Sequence, residues 1–412
     1  MDSPAADFIR EELSKPSLFK DERPLSLEYI PPRLPYRDEQ LRFLAHLFRF
    51  QLENPGSMSQ RVLITGDIGT GKTVLAKSFG MELAKEAKSR KINLRYVHVN
   101  CRESRGSLFL VLKKVLIDLI PRFPQRGFST EELLRMLMET LEGKKLFMIL
   151  TLDELDSLIR VEGSAALYNL TRVQEQITKM PRLSLICIFR EIQQLQQLDR
   201  STLGTLQQNL ITLAKYSASQ LYTILNDRIQ LAFKDGVISE TTTQFLADTA
   251  ASTGDARYAI ELLWRSGKYA DAGQAPEIRP EHVRKAIGSL DIRFSEDSLL
   301  GLSISEKLVL LAIARALKHS GQPYVTMGDI ESTYNVVAEE YGEEARKHTQ
   351  IWKYVQNLNT LGILSAKTSG DGVKGRTTLV GLATTPAEET ERWLAARLEA
   401  LKKIASRKAL LR

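Results

Sequence analysis

Cysteine is scarce, with only Cys101 and Cys187 in 412 residues. Each sits in or beside an apolar, strand-like run, as interior residues of a reduced intracellular protein do, so neither a disulfide framework nor a metal site is expected. Long apolar runs are missing as well. Nothing approaches the ~20 residues that cross a bilayer, and no membrane partner is expected. Met1 to Lys15 is acidic and interrupted at Pro4, which departs from the basic-then-apolar order of a secretory signal and points to the cytoplasm. Internal repeats and low-complexity tracts are lacking too. What remains is ordinary globular material, 43% hydrophobic and 26% charged. That is enough for a core in each of the two or three domains this length suggests. The net charge of +7 permits an anionic partner without requiring one.

Gly66-Asp67-Ile68-Gly69-Thr70-Gly71-Lys72-Thr73 matches the phosphate-binding pattern G-x-x-x-x-G-K-[ST] at each fixed position. Val62 to Ile64 reads as a strand, and the residues from Val74 onward have helical spacing, which is the context the pattern requires. Glycines let successive backbone N–H groups curl round one phosphate at a helix N-terminus. ATP or ADP is the expected ligand, held by Asp67 to Val74. Lys72 is expected on the β and γ phosphates and the Thr73 hydroxyl on Mg²⁺.

Before this loop, residues 1–35 are interrupted by proline, and no helix is expected until about Asp38. Tyr29, Ile30 and Arg37 are candidates to lie against the adenine. An amphipathic helix is predicted over Asp38 to Glu53. After the loop, Leu94 to Cys101 reads as a second strand joined to the first by a helical crossover, which implies parallel order. A third strand, Leu146 to Leu152, is apolar nearly throughout, as a strand covered on both faces must be. It runs into Asp153-Glu154. Acids at the C-terminal end of a buried strand stand where open α/β sheets keep their ligand. Asp153 is therefore a candidate Mg²⁺ ligand and Glu154 the candidate that polarises an attacking water. A fourth strand, Arg182 to Phe189, ends at Arg190; a polar stretch from Gln193 to Gln208 follows, then a short strand at Leu210 to Leu213.

From Tyr216 the pattern turns helical, with helices predicted at Ser219 to Phe233, Ser239 to Thr253, Asp255 to Tyr269 and Arg279 to Ser289. Asp291 to Gly301 reads as a linker. Beyond it, helices at Ser305 to Leu317, from Met327, and at His348 to Leu361 precede two strands around a Gly-rich hairpin tip. Three helices followed by a hairpin make the winged variant of the helix-turn-helix fold. Lys367, Lys374 and Arg376 on the hairpin, with Lys353, Gln356 and Asn357 on the third helix, are candidate contacts to double-stranded DNA. A helix from Pro386 to Leu411 closes the chain.

The order of Gly66 to Thr73, Asp153-Glu154, Tyr216-Ser-Ala-Ser-Gln-Leu-Tyr-Thr-Ile-Leu-Asn-Asp-Arg228 and Gly254-Asp-Ala-Arg257 resembles the archaeal replication initiators. These are AAA+ proteins related to the largest origin recognition complex subunit and the helicase-loading cell-division-cycle factor. The likeness includes Leu34-Pro-Tyr-Arg-Asp-Glu-Gln-Leu41 and covers nearly the whole chain. It implies a multidomain α/β protein: a P-loop AAA+ parallel-sheet domain over residues 1–215, an all-α lid over 216–300, and a C-terminal winged helix over 301–412. It also implies that Arg257 reaches the nucleotide phosphates from the lid, with Tyr222 on the nucleotide side. Arg200 falls where the family places an arginine finger, and a solvated loop arginine is the competing reading. The turn Arg102 to Ser107 falls where these initiators insert a helical element that touches DNA, making Arg102 and Arg105 candidates.

One position departs from the family. Arg190 stands where a polar Asn usually helps place the attacking water, and arginine cannot accept a hydrogen bond from water. The reading is a replication initiator that binds origin DNA, with slow hydrolysis as a switch, paralogous subunits as neighbours, and a replicative helicase as the loaded partner. An AAA+ motor with fast turnover and a DNA-binding regulator locked with ADP are the alternatives. The compact chain suits the cytoplasm of an archaeal cell, next to the nucleoid.

Overall fold

The computed structural model describes residues 4–124, 127–190, 198–206, 209–290, 299, 301–368 and 377–410. Most of the predicted linker, part of the polar stretch after Gln193, and the hairpin tip with Lys374 and Arg376 lie outside these residues. The chain divides into two compact units, one of Glu28–Leu221 with Thr253–Arg257, the other of Met1–Leu27, Tyr222–Ser252 and Tyr258–Arg412. Among the described residues no helix is long and apolar enough to cross a membrane.

The chain opens with a helix, α1 (Pro4–Ser14), which corrects the expectation that proline excludes helix from the first 35 residues. Pro4 is the first helical residue, where a missing N–H costs nothing, and no proline follows until the helix has ended. The single helix expected over Asp38 to Glu53 is two, α2 (Asp38–Leu47) and α3 (Arg49–Glu53), separated at the buried Phe48.

In the first unit, β1 (Arg61–Gly66), α4 (Lys72–Ser89), β2 (Leu94–Asn100), α5 (Leu108–Leu119), α6 (Thr130–Gly143), β3 (Phe147–Asp153), α7 (Asp156–Ile177), β4 (Leu183–Ile188), α8 (Arg200–Thr205) and β5 (Asn209–Leu213) follow one another. The strands form one five-stranded sheet in the order β2-β3-β4-β1-β5, and every pairing is parallel. Successive side chains on a strand face opposite ways. Val62 and Ile64 accordingly pack with Leu75 and Phe79 of α4 on one face. Leu63, Leu150 and Cys187 pack with α5, α6 and α7 on the other. Buried on both faces, the central strands β1, β3 and β4 need no polar alternation, which is why their sequences are largely apolar.

The second unit holds α9 (Ala218–Ala232), α10 (Glu240–Ala251), most of α11 (Ala256–Ala272) and α12 (Pro280–Leu290). The N-terminal arm is tied to these helices. Lys20 and Asp21 N–H both donate to Ala232 O, at 2.8 and 3.1 Å, and the Phe19 and Phe233 rings lie 4.5 Å apart. A Cβ at Gly267 would come within 2.4 Å of the Phe19 ring, so this arm needs glycine on α11. Three further helices, α13 (Ile304–Ser320), α14 (Met327–Tyr341) and α15 (His348–Thr360), carry the winged helix. Capping boxes at Ser303/Glu306 and Thr326/Asp329 set the starts of α13 and α14. Its sheet has three strands rather than the expected two: β6 (Val325–Thr326) pairs with β8 (Thr378–Leu382), which pairs with β7 (Leu364–Thr368). Two residues are too short a strand to show alternation in sequence. The chain ends with α16 (Ala387–Leu410).

One packing contact fixes the helix that follows the P-loop. Tyr96 of β2 lies flat on Gly80 of α4, and a Cβ there would sit 2.1 Å from the ring. Alanine normally improves a helix interior by up to ~1 kcal/mol over glycine. Here Gly80→Ala is expected to destabilise instead, by about 1–3 kcal/mol from overpacking. Urea denaturation of the variant checks the sign.

Candidate nucleotide-binding site and nucleic-acid interface

The P-loop turns between β1 and α4 on left-handed glycines, Gly69 at φ 73° and Gly71 at φ 88°. Thr70, fully buried, donates its hydroxyl to Asp67 O at 2.8 Å and closes the turn. Lys72 begins α4 and its Nζ donates to Gly66 O and Asp67 O at 2.5 and 2.7 Å, so its ammonium is folded back over the loop. Burial pushes its pKa down, an effect that an anionic phosphate would oppose. Ile68 is exposed and Val74 half-buried. Asp67 pairs with Lys215 at 3.3 Å.

Thr73 and Asp153 come together as the sequence pattern implies. The Thr73 hydroxyl donates to Asp153 Oδ2 at 2.7 Å, and His98 Nε2 lies 3.1 Å from the same oxygen. Burial opposes ionisation of Asp153, but the His98 and Thr73 bonds outweigh it and hold the carboxyl below the ordinary aspartate range. An ionised carboxylate beside a hydroxyl is the oxygen donor set that Mg²⁺ takes alongside phosphate. Among the described residues no group of three or more His, Cys, Asp or Glu could hold a metal alone. His98 was not singled out from the sequence; β2 also carries Arg95 and Asn100, so nothing local set this histidine apart.

Glu154 adopts φ 50°, a left-handed conformation that a glutamate rarely takes. Two arginines flank its carboxylate: Arg190 Nη2 is 3.9 Å from Oε1, and Arg102 Nη1 is 3.8 Å from Oε2. The Arg190 N–H in turn faces the Asp156 carboxylate at 3.3 Å. Residues 101–106 form consecutive turns, as the sequence predicts, with Gly106 N–H donating to Cys101 O at 2.8 Å. Arg105 is exposed on this turn at φ 53°. Arg200 is exposed at the start of α8, where Asp199 caps the helix by accepting from Thr202 N–H at 2.7 Å. Hydrogen bonds from Ser201 and Thr202 hold that carboxyl down at about 2.

The Gly254-Asp-Ala-Arg257 segment lies against the P-loop. Ala256 N–H donates to Gly69 O at 3.2 Å. The Asp255 carboxylate accepts from Arg257 N–H at 2.7 Å, and its Oδ1 would touch a Cβ at Gly69. Arg37 is almost wholly buried and is spent on the same loop: Nη2 donates to Thr70 O at 2.9 Å and Ala214 O at 3.2 Å, and the guanidinium lies 4.1 Å over the Tyr216 ring. Tyr29 and Ile30 are half-buried in irregular chain, and Tyr222 stands half-buried on α9 in the other unit.

On the winged helix, Lys353, Gln356 and Asn357 all lie on the exposed face of α15. Asn357 is engaged, donating to Glu306 Oε1 at 2.5 Å. Lys367, expected on DNA, is bonded to Asp248 of α10.

A P-loop on a parallel sheet, a Thr–Asp pair at the strand ends, a helical lid segment and a winged helix define an AAA+ protein with a C-terminal winged-helix domain. Residues 57–198 match the family described as AAA domain, 222–288 the Cdc6 AAA+ ATPase-type lid domain, and 297–392 the CDC6 C-terminal winged helix domain. The chain is 34% identical over 394 residues to an ORC1-type DNA replication protein 2 of Sulfurisphaera tokodaii, covering 93% of this chain and 94% of that one. Its fold is similar to the crystal structure of Cdc6p from Pyrobaculum aerophilum, with TM-score 0.81 and 33% identity over 93% of this chain and 99% of that one. The Aeropyrum pernix ORC1 protein in complex with DNA matches with TM-score 0.61 and 27% identity, covering 92% and 98%. The chain belongs to the Cdc6/ORC1-type family of archaeal replication initiators.

Arg37 carries the first test of this geometry. Arg37→Ala leaves Thr70 O and Ala214 O without their donor and the P-loop without its brace. Stability is expected to fall by about 1–3 kcal/mol, and ADP to bind about tenfold more weakly through loss of a preorganised loop. Thermal denaturation with and without ADP reads both.

Proposed function

We propose that this initiator binds ATP and ADP with Mg²⁺, grips origin double-stranded DNA and helps load the replicative helicase, with paralogous initiator subunits beside it. The observation that carries the nucleotide half is the 2.7 Å bond between the Thr73 hydroxyl and Asp153 at the strand ends. Lys72 leaves its carbonyl partners for the β and γ phosphates, Thr73 and Asp153 hold the metal, and Arg257 approaches the phosphates from the lid segment. Mg²⁺, when bound, neutralises charge across those phosphates. The DNA half rests on the winged helix and on the Aeropyrum pernix ORC1 protein solved with DNA. Arg102 and Arg105 on the turn after β2 offer a second basic contact.

Hydrolysis is slow in this reading. Arg102 and Arg190 face the Glu154 carboxylate, so a water approaching it meets guanidinium donors. Arg190 also supplies no acceptor to orient water. Turnover is therefore expected below the ~1 to 100 s⁻¹ of dedicated kinases, and Glu154→Gln should lower it further while ADP affinity, read by calorimetry, holds. A wild-type rate of many per second would make the protein a motor. Bound ADP that never exchanges would make nucleotide a fixed structural ligand.

On DNA, phosphate contacts set affinity and base contacts set sequence preference. Lys353→Ala is expected to weaken origin and random duplex by similar factors and to reduce the log–log salt slope by about 0.9. Gln356→Ala should instead narrow the difference between the two duplexes. Fluorescence titrations at several salt concentrations decide, and an origin preference unchanged in Gln356→Ala removes this helix from base reading.

A further inference from the structure

The wing strand β7 carries a cation that is already occupied. Lys367 forms an ion pair with Asp248 on lid helix α10, and its Nζ lies 4.1 Å above the Tyr324 ring. Asp248 is itself held in place, accepting from Gln244 Nε2 at 2.8 Å. The contact belongs to a packed seam. Arg284 of α12, fully buried, pairs with Glu281, donates to Pro323 O at 2.8 Å and lies 5.4 Å from the Phe245 ring. The Phe245 ring meets Tyr324 edge-on at 5.5 Å, and Glu281 also accepts from Ala387 N–H at 2.9 Å, at the start of α16.

A carboxylate seated on a lysine offers the charge and acceptor oxygens that a DNA phosphate would offer. From this we infer that Asp248 is an internal competitor for the DNA backbone at Lys367. In the free protein it holds the wing's cation against the lid, and a phosphate takes its place when the winged helix meets a duplex. The inference rests on the DNA-binding reading above. The exchange is feasible because the pair is only partly desolvated, with the Lys367 side chain 36% and the Asp248 side chain 18% exposed. Parting such charges costs little compared with a buried pair. The Tyr324 face attracts the ammonium in either state and keeps it positioned. Because lysine trades one anion for another, Lys367 adds little to affinity in the wild-type protein, although it stands on the wing.

Titration of a labelled duplex at several salt concentrations tests the competition. Asp248→Ala is expected to tighten binding by about twofold to fivefold at low salt, the range of a partly exposed ion pair. Asp248→Asn, which keeps the shape and the Gln244 partner, should do the same if the alanine variant folds poorly. Lys367→Ala alone should change affinity little while flattening the log–log slope by about 0.9, the phosphate contact it gives up, and Asp248→Ala combined with Lys367→Ala should show no gain. Glu240→Gln removes the same charge from the first turn of the same helix, and an equal gain there would replace competition with a general field effect and overturn the inference. Unchanged binding in both Asp248 variants, or a Lys367→Ala protein with an unaltered salt slope, also overturns it. If neither wild type nor variants bind any duplex, the DNA-binding reading itself falls.

Discussion

The nucleotide site depends on where three parallel strands end. β4 lies between β1 and β3, with Ile64 level with Ile188 and Leu152 level with Cys187. That register brings the P-loop after β1, Arg190 after β4 and Asp153 at the end of β3 to one edge of the sheet. Ligands of open α/β sheets bind at this carboxyl edge because the strands deliver loops and helix N-termini there together. The Thr73–Asp153 bond spans two strand positions, and no stretch of sequence shorter than the whole sheet could specify it. The packing of Tyr96 on Gly80 and the burial of Val62, Leu63 and Ile64 serve this edge by holding α4 and β1 in place.

Charge is distributed unevenly around that edge. Asp153 is bonded by a hydroxyl and an imidazole, which hold its carboxyl below the ordinary aspartate range. Glu154, one residue on, faces two guanidinium groups. The proposed switch draws on this asymmetry, since Arg190 offers no acceptor to orient water while both guanidinium groups favour a bound polyphosphate. One of them, Arg102, also lies on the turn that carries Arg105, so the nucleotide edge and a candidate DNA contact share a residue.

The second unit shows a related economy. The arm, the lid helices and the winged helix are joined by specific contacts rather than by apolar area alone: Phe19 against Phe233, Arg284 on Pro323 O, Lys367 on Asp248. A fully buried arginine is tolerated there because a carboxylate and a carbonyl take donors on its two terminal nitrogens. Arg315 joins α13 to α14 and α16 through Glu340 and Glu391. Such pairs define which helices meet more sharply than leucines could.

By itself the sequence determined everything that depends on periodicity or on a contiguous motif. The P-loop, the acidic strand end, the apolar strands, the lid helices and the winged-helix order were all legible, because strand burial, helix spacing and phosphate binding each impose a local pattern. Pro4 was misread, since position within a helix decides whether proline breaks it. Tertiary structure alone decided the roles that depend on neighbours far along the chain. His98 reached Asp153, Arg37 spent its guanidinium on the P-loop, Arg102 turned to Glu154, and Lys367 was taken by Asp248, 119 residues away in sequence. A side chain's type states what it can bond, but which partner it finds is set by the folding of distant segments onto one another, where charge and hydrogen-bonding groups that share no sequence pattern come within a few ångströms.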